Sequence, residues 1–464
     1  MRKIIFLLPV ITFLACQSAQ AQTVTKSTIA DQAAVEVTVY NSNLGLVKDT
    51  RKIKLPTGKE NELQFMDVAS GIMPVTVHAK SLTAPDKFTV LEQNYEYDLA
   101  GKAQILNKYI DKKVDIFTKD NSHLTGILKF YDGISFGLIE EGTNRLIVAD
   151  NDQVQLIQLA ELPPNFYTRP TLHWNLLANK AGKHQLQLMY LTGGLSWDVT
   201  YNTVWDGHIL ALNSWVTITN NSGKAFNNVH LKLIAGDVNR VRKGYYDTAG
   251  RGYEVMLKTA DQAAPSFEEK AFHDFHMYTL DQPVTFADKQ TKQLELYPLQ
   301  NITASQFYEY NTFASSVLSI IKFKNTEANG IGKPLPKGTI KVYKKDVDNN
   351  LEFIGEDSIN HTSKNEEVRI NTGSAFDLVG KTIVKDRKTI SQYISQRTIQ
   401  VTLRNNSNEN KSIDVIHNLG TNAKIISVEN VTQPTVDEYN NATFKINIAP
   451  NQEIIFSFVE RTEY

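Results

Sequence analysis

Residues 210–222 read LALNSWVTITNNS, and in this stretch apolar and polar side chains alternate before a run of small polar residues. Successive side chains of a β-strand point to opposite faces, so Leu210, Leu212, Val216 and Ile218 share one face. Asn and Ser side chains favour tight turns because they form local hydrogen bonds with the backbone. The stretch therefore predicts a half-buried strand that ends in a hairpin turn or in a corner between two sheets.

A similar stretch recurs later in the chain. Residues 401–407 read VTLRNNS, against VTITNNS for residues 216–222, and an apolar strand follows each of them. Two separate β-sandwiches, each with such a strand, fit a chain of 464 residues. Chance similarity between two β-strands is the alternative.

The same alternation dominates the rest of the chain, whereas helical periodicity is scarce. The best helix candidate is 98–110, with Asp98 as a possible N-cap. Short alternating runs separated by Gly, Asn, Asp and Pro are typical of half-buried antiparallel strands. The sequence therefore predicts an all-β fold with several antiparallel domains. Further alternating sets are Val35, Val37 and Val39; Val229, Leu231 and Leu233; Ile340 and Val342; Ile399, Val401 and Leu403; and Phe444, Ile446 and Ile448.

Turn-forming residues and changes in strand length divide the chain into regions. Very short, closely spaced strands after residue 98 favour a small closed barrel of SH3-like type. Residues 243–292 are richer in Gly, Tyr and charge and show little periodicity, which suggests a crossing connection. The predicted regions are a signal peptide (1–21), an N-terminal β-unit (22–97), a small SH3-like β-barrel (98–162), a first Ig-like β-sandwich (163–242), a crossing connection with a mobile Gly/Tyr loop (243–311) and a C-terminal Ig-like β-sandwich (312–464).

The first segment carries the features of a secretory signal. Arg2 and Lys3 precede an apolar run over 4–15, and Ala19-Gln20-Ala21 supplies small residues for cleavage before Gln22. The run is too short to span a bilayer, and no later stretch approaches the length of a transmembrane helix. The sequence predicts export to the periplasm, or to an outer-membrane or cell-surface location, in a Gram-negative bacterium.

Cys16 leaves a second interpretation of this segment open. Residues 13–16 read FLAC and resemble a lipoprotein box, in which the Cys becomes lipidated and anchors the chain. Cys16 is the only cysteine of the chain, so no intrachain disulfide can form. Burial of apolar surface must therefore supply the stability of the exported protein.

Composition excludes several function classes. Hydrophobic residues make up 41% of the chain and charged residues 21%, values typical of a globular protein, so a wholly disordered chain is excluded. The 49 Lys and Arg residues are balanced by 50 Asp and Glu residues. Such a balance provides no basic surface for nucleic acid.

The most suggestive binding segment is the loop 244–253. Tyr245, Tyr246, Arg251 and Tyr253 offer large amphipathic side chains, and the glycines between them permit adaptable backbone geometry. This composition predicts stacking on a sugar ring or on a partner protein. The alternative is a flexible excursion between domains.

His273 and His276 follow Glu268 and Glu269 and form the densest cluster of potential metal ligands. Two histidines three residues apart diverge on a strand and approach each other only on a helical turn, so the cluster is a weak metal candidate. The sequence predicts no metal site and no cofactor.

Three further patterns resemble functional motifs but have simpler explanations. Residues 133–137 match G-x-S-x-G, yet a strand rather than a helix is expected after Ser135, which favours a turn over a hydrolase nucleophile. Residues 346–350 begin like a calcium loop, but Leu351 stands where that loop needs Gly, so a hairpin tip is favoured. Trp174, Trp197, Trp205 and Trp215 could line a carbohydrate platform, although buried core positions are the simpler interpretation.

An ordered series of motifs resembles a known bacterial envelope family. Residues 191–197 read LTGGLSW, 233–238 read LIAGDV, 275–278 read FHMY, 329–338 read NGIGKPLPKG and 373–377 read GSAFD. Together they resemble domain of unknown function 4139, a family related to mucoidy inhibitor A, over about residues 165–464. The resemblance implies a β-rich envelope protein and brings no catalytic residues. The long coiled-coil insertion of some members is absent from this sequence.

The leading hypothesis is a non-catalytic exported β-protein that acts as a structural or interaction module of the cell envelope, with an envelope protein or a glycan as partner. The first alternative is a carbohydrate- or glycoconjugate-binding protein that uses the Tyr/Gly loop. The second alternative is a hydrolase whose acidic pair cannot be identified from sequence spacing.

Overall fold

The computed structural model describes residues 24–56, 60–97, 101–161, 166–236, 238–239 and 266–464. Over these ranges the chain is nearly all β, so the predicted all-β fold is confirmed. The chain divides into two compact units. Unit 1 comprises the described residues up to 35 together with 47–191, and unit 2 comprises 36–46 together with 192–464.

The elements of the first part of the chain are short and joined by tight turns. In chain order they are β1 (Thr25–Ser27), β2 (Gln32–Tyr40), β3 (Leu44–Leu55), β4 (Glu60–Met66), β5 (His78–Ser81), β6 (Phe88–Glu96), α1 (Lys102–Asn107), β7 (Lys113–Thr118), β8 (His123–Tyr131), β9 (Ser135–Glu140), β10 (Leu146–Asp150), β11 (Val154–Leu159), β12 (Thr171–Ala178) and β13 (Gly182–Thr192). Short 3₁₀ turns lie at Ile29–Asp31, Pro74–Thr76, Pro85–Lys87 and Asn151–Gln153.

In unit 1, strand β12 lies between β4 and β6 in a sheet of order β1-β4-β12-β6, and β13 pairs with β5. The sequence predicts one sandwich for 163–242, but its first two strands, β12 and β13, pair with N-terminal strands. The predicted sandwich is therefore divided. Phe65 and Trp174 pack in the core with ring centroids 5.6 Å apart. Arg51, fully buried, lies 3.7 Å from the Phe65 ring centroid and forms an ion pair of 2.9 Å with Asp49.

Strands β7 to β11 form a five-stranded antiparallel sheet of order β10-β9-β8-β7-β11. The short strands match the expected unit, but the sheet is open rather than a closed barrel: among the described residues its end strands β10 and β11 do not pair. The helix is shorter than the predicted 98–110, with Gly101 at its N-cap, and Asp98 lies outside the described residues. It contributes Leu106 to a core shared with Val114 and Phe136.

The remaining strands belong to unit 2, together with the part of β2 from residue 36 onward. In chain order they are β14 (Leu195–Trp205), β15 (Ile209–Asn220), β16 (Phe226–Ala235), β17 (Phe267–Phe272), β18 (Phe275–Leu280), β19 (Val284–Phe286), β20 (Gln290–Thr303), β21 (Ser305–Asn311), β22 (Val317–Lys324), β23 (Gly338–Lys345), β24 (Leu351–Ile359), β25 (Glu367–Ser374), β26 (Leu378–Ser391), β27 (Ile394–Asn405), β28 (Lys411–Asn418), β29 (Ala423–Glu429), β30 (Thr435–Val436), β31 (Asn441–Ile448) and β32 (Gln452–Glu463). A further 3₁₀ turn lies at Glu327–Asn329.

The first sandwich of unit 2 has one sheet of order β20-β15-β14-β23-β24. Its second layer contains β16, which pairs in parallel with residues 36–40 of β2 and in antiparallel fashion with β18. The segment 243–311, expected to be a crossing connection, therefore contributes regular strands from residue 267 onward. Periodicity is weak over residues 267–272 because β17 is an exposed edge strand, which buries neither face.

The second sandwich combines a sheet of order β25-β22-β21-β28-β31-β30 with a sheet of order β26-β27-β32-β29. Its core lies between them and includes Tyr310, Val401, Ile413, Phe444 and Phe456, all nearly or fully buried. Val401 and Phe444 are among the alternating positions that the sequence predicts to be buried.

The recurring NNS stretch forms a corner between two sheets. After β15, the Asn220 Nδ2 donates to the carbonyl oxygens of Lys224 (2.8 Å) and Ala287 (2.9 Å). The Asn220 Oδ1 accepts from the backbone N–H (3.1 Å) and the hydroxyl (2.8 Å) of Ser222. The buried amide therefore forms the hydrogen bonds that backbone carbonyl and N–H groups need where the chain leaves one sheet and enters β16 in the other.

The second corner repeats the hydrogen bonds of the first asparagine and adds one, from the Asn405 Nδ2 to the carbonyl oxygen of Ala449 (3.1 Å). After β27, the Asn405 Nδ2 donates to the carbonyl oxygens of Glu409 (2.8 Å) and Ile448 (3.1 Å). The Asn405 Oδ1 accepts from the backbone N–H (3.0 Å) and the hydroxyl (2.7 Å) of Ser407. The two similar stretches thus form the same hydrogen-bonded corner between two sheets, so their similarity is not due to chance.

Candidate functional site

The predicted binding loop cannot be placed by the structure. Tyr245, Tyr246, Arg251 and Tyr253 lie outside the described residues, as does the signal segment 1–21 with Cys16. Their roles remain predictions from the sequence.

The two candidate histidines lie on one hairpin but bind different carboxylates. His273 occupies the turn between β17 and β18 at a φ of 54°, and its Nδ1 lies 2.8 Å from Asp274 Oδ2. His276 follows on β18, and its Nδ1 lies 2.7 Å from Glu269 Oε1. Within the described ranges, the structure contains no group of three His, Cys, Asp or Glu side chains placed to hold a metal ion.

The two motif-like segments form turns, as the sequence predicts. Ser135 begins β9, and its hydroxyl donates to Asp132 Oδ2 at 3.0 Å, so the side chain serves a strand-turn-strand connection. Asp346 Oδ1 accepts the backbone N–H groups of Asp348 and Asn350, both at 2.8 Å, at the tip between β23 and β24. Val347 is fully exposed at this tip.

The tryptophans are mainly core residues. Trp174, Trp197 and Trp205 are buried, whereas Trp215 is half-buried on the other face of its strand. The indole N–H of Trp197 donates to the carbonyl oxygen of Ile234 at 3.2 Å, which joins the two layers of the first sandwich of unit 2. Burial of this kind leaves no continuous tryptophan platform for a sugar.

One motif of the family resemblance has a structural explanation. The segment 329–338 passes beside three buried tyrosines whose hydroxyls donate to proline carbonyl oxygens. Tyr201 binds Pro336 at 2.7 Å, while Tyr278 and Tyr297 bind Pro334 at 3.1 and 2.8 Å. Burial raises the pKa of all three tyrosines, which keeps the hydroxyls protonated as donors.

A polar groove that no sequence motif indicated lies within unit 2. We call it the Tyr308 groove; it has a volume of about 500 Å³ and lies between the β23–β24 hairpin and the end of the second sandwich, where Tyr308 and Leu378 pack against the core. A second depression of about 380 Å³ shares Gln306, Tyr308 and Lys411 with it and extends it along β21 and β28. The residues used below are Gln306, Tyr308, Lys344, Phe376, Asn408, Glu409 and Lys411.

Strands and a corner position the side chains of the Tyr308 groove. Tyr308 and Lys411 lie on β21 and β28, and the Lys411 Nζ lies 5.4 Å from the Tyr308 ring centroid and 2.6 Å from Glu409 Oε2. The hydrogen bond to Glu409 raises the pKa of Lys411, so this amine stays charged. The Asn405 corner positions Asn408 and Glu409 at the wall of the groove. The buried hydrogen bonds of Asn405 therefore help to shape this surface site.

The lining of the groove mixes aromatic, amide and charged groups. The Phe376 side chain is 97% exposed, whereas the Gln306 amide donates to Ser319 Oγ at 2.9 Å and is thereby oriented. One exposed ring, Phe376, and one half-buried ring, Tyr308, beside an ordered amide suit a ligand that has both apolar and hydroxyl-bearing faces. Sequence reasoning missed the groove because its residues come from segments that are up to about 200 positions apart, from Trp205 to Lys411.

Sequence reasoning also missed a row of buried, hydrogen-bonded side chains in the second sandwich. His417 on β28 lies between Thr312, whose Oγ1 is 2.6 Å from its Nδ1, and Glu460, whose Oε2 is 3.2 Å from its Nε2. Arg397 donates to the same Glu460 oxygen at 2.5 Å. Because an ionised carboxylate only accepts, Nε2 carries the proton in the neutral ring and Nδ1 accepts from Thr312.

These hydrogen-bonded side chains join the two sheets of the second sandwich. Burial by itself would raise the pKa of Glu460, but the hydrogen bonds from His417 and Arg397 outweigh it and lower the pKa. His417 and Glu460 are 1% and 2% exposed, and Phe313 stacks on the imidazole with ring centroids 5.1 Å apart. The arrangement is closed to substrates and acts as a polar link in the core.

In the part of the chain that the structure describes, no helix is both long and apolar enough to cross a membrane. Neither the known protein-family models nor the curated proteins contain a match to this chain.

Proposed function

We propose that this chain is an exported, non-catalytic β-protein that acts as an interaction module of the cell envelope. The signal-like segment 1–21 and the ordered motifs that resemble domain of unknown function 4139 support the location and the family. The observation that carries the proposed activity is the Tyr308 groove, an open recognition surface built on the rigid strands of two sandwiches.

The groove fits recognition better than turnover. Two carboxylates line it: Glu409 is engaged by Lys411, and Asp377 is exposed to solvent. The buried array of Thr312, His417 and Glu460 faces the core instead of the groove. Binding surfaces of this kind rely on ordered amides and aromatic faces held by a stable frame.

The proposed location is tested by purifying the protein from fractionated cells and determining its N-terminus by mass spectrometry. We expect an envelope fraction and a chain that begins at Gln22, or at a lipidated Cys16 if the alternative holds. A chain that retains Met1 and remains in the cytoplasmic fraction would overturn the proposal.

Carbohydrate binding is the second candidate, and the aromatic and amide lining of the Tyr308 groove favours it. Sugar rings present an apolar C–H face that stacks on aromatic rings and hydroxyls that bond to amides. A polysaccharide chain also fits an open groove that continues past Tyr308 along β28.

A glycan array with the mature protein tests this candidate. We expect specific hits that disappear in the Tyr308→Ala/Phe376→Ala variant and persist in Phe353→Ala, which removes an exposed aromatic side chain that does not line the groove. Hits that disappear only in Tyr245→Ala/Tyr246→Ala would assign binding to the Tyr/Gly loop. An array without hits would rule out the carbohydrate candidate and leave a protein partner.

A further inference from the structure

The five-stranded sheet of unit 1 has two unpaired edges. Strand β10 (Leu146–Asp150) pairs only with β9, and β11 (Val154–Leu159) pairs only with β7, among the described residues. The outer backbone groups of an edge strand form a template for one more strand. Both edges can therefore accept a strand from another chain.

Both edges carry few of the charged residues that usually protect an edge: β10 has Asp150 at its end, and β11 has none. Strand β10 reads LIVAD and β11 reads VQLIQL, without Lys, Arg or Pro. By contrast, the edge strand β26 of the second sandwich carries the charged run Lys385–Lys388. Strand β11 has a register shift between Val154 and Leu156. Inserted charges and prolines are the commonest protection against edge pairing, and their near absence from both strands indicates a site of assembly.

The two edges are chemically complementary. On β10, Leu146 and Val148 point outward, each 59% exposed. Beside β11 lies an apolar groove of about 270 Å³ between this strand and α1, lined mainly by aliphatic side chains such as Ile105, Leu106 and Leu156. An aliphatic row on one edge thus corresponds to an aliphatic groove beside the other.

We propose that β10 of one copy of this protein adds to β11 of a second copy, so that Leu146 and Val148 enter the groove beside α1. The occupant is a second copy because both halves of the complementary pair belong to one sheet. The contact is head-to-tail, and repetition produces a ring or a chain of copies. This inference is independent of the function proposed above.

Sedimentation of the mature protein over a dilution series tests the assembly. We expect the wild type to form assemblies that dissociate on dilution, and Val148→Lys or Leu156→Lys to sediment as single chains. Ile134→Lys is the matched control, since Ile134 is 77% exposed and lies in the turn before β9, outside both edge strands. It should assemble like the wild type.

An equimolar mixture of the two edge variants distinguishes the geometry. Val148→Lys retains an intact β11 edge and Leu156→Lys an intact β10 edge, so their mixture should form a one-to-one dimer and nothing larger. Circular dichroism verifies that each variant is folded, and Leu146→Lys replaces Val148→Lys if that variant unfolds.

Three results would overturn the proposal. The first is a wild type that remains a single chain at every concentration, and the second is loss of assembly in Ile134→Lys. The third is self-association of Leu156→Lys, because it would mean that two β10 edges pair with each other.

Discussion

At the scale of single residues, buried side chains that bond to the backbone determine where the chain turns. Asn220 and Asn405 are both fully buried, and each holds the strand that follows its own corner. An amide suits this position because it donates and accepts at once, whereas a carboxylate could only accept.

Replacement of Asn405 by Ala should lower the free energy of unfolding by about 2–4 kcal/mol, because it leaves buried carbonyl and N–H groups without partners. The measurement is urea-induced unfolding. Asn406→Ala is the control: this neighbour is exposed, so its replacement should change stability by less than about 0.5 kcal/mol. Equal effects of the two substitutions would contradict the role given to Asn405.

The pKa of Glu460 provides a prediction for pH dependence. Because its pKa is lower in the folded than in the unfolded state, ionised Glu460 stabilises the fold above the unfolded pKa of about 4.3, and this contribution is lost as the pH falls through the folded pKa. Glu460→Gln should therefore cost about 1.5–3 kcal/mol at neutral pH. The difference from the wild type should shrink on acidification.

Unfolding of both proteins by urea at a series of pH values measures this effect. Glu453→Gln is a suitable control, since Glu453 pairs with Arg404 on the surface and should contribute less than about 1 kcal/mol. A stability difference for Glu460→Gln that is independent of pH would show that the carboxylate charge has no part in the link.

At the scale of elements, close backbone approach determines which strands can be neighbours. The parallel pair β14–β23 begins where Gly338 lies opposite Val199. A Cβ atom at Gly338 would lie 2.1 Å from the Val199 carbonyl oxygen, which is backbone and cannot move aside. Glycine is therefore required for the start of this pair.

Gly338→Ala should destabilise unit 2 by about 1–3 kcal/mol, as expected for overpacking against a rigid neighbour. Thermal unfolding followed by circular dichroism measures the loss. Gly420→Ala is the control, because no atom lies within 4 Å of its Cβ position. If both variants melt at the wild-type temperature, the close approach at Gly338 is not a constraint on the fold.

At the scale of the whole molecule, the two units are interleaved in the sequence. Unit 2 takes residues 36–46 from the N-terminal part of the chain, and residues 36–40 pair with β16. Val37 and Val39 are fully buried there, so unit 2 is incomplete without a segment that precedes most of unit 1.

A fragment of residues 192–464 should therefore melt at a lower temperature than unit 2 in the intact chain, because β16 loses its parallel neighbour and exposes Leu231 and Leu233. Scanning calorimetry provides the comparison, and a peptide of residues 32–46 should restore part of the loss. A fragment as stable as the intact chain would show that residues 36–46 are dispensable for unit 2.

The amino-acid sequence alone determined the all-β class, the buried face of the alternating strands it singled out and the turns at the two NNS stretches, because alternation and turn chemistry act between near neighbours in the chain. Only the tertiary structure decided that β12 lies between β4 and β6, that β2 joins β16 and that Tyr308, Phe376 and Lys411 meet in one groove. Alternation specifies which face of a strand is buried, but not which strand lies beside it. Pairing between distant segments depends on the packing of the whole unit, and so does any site built from them.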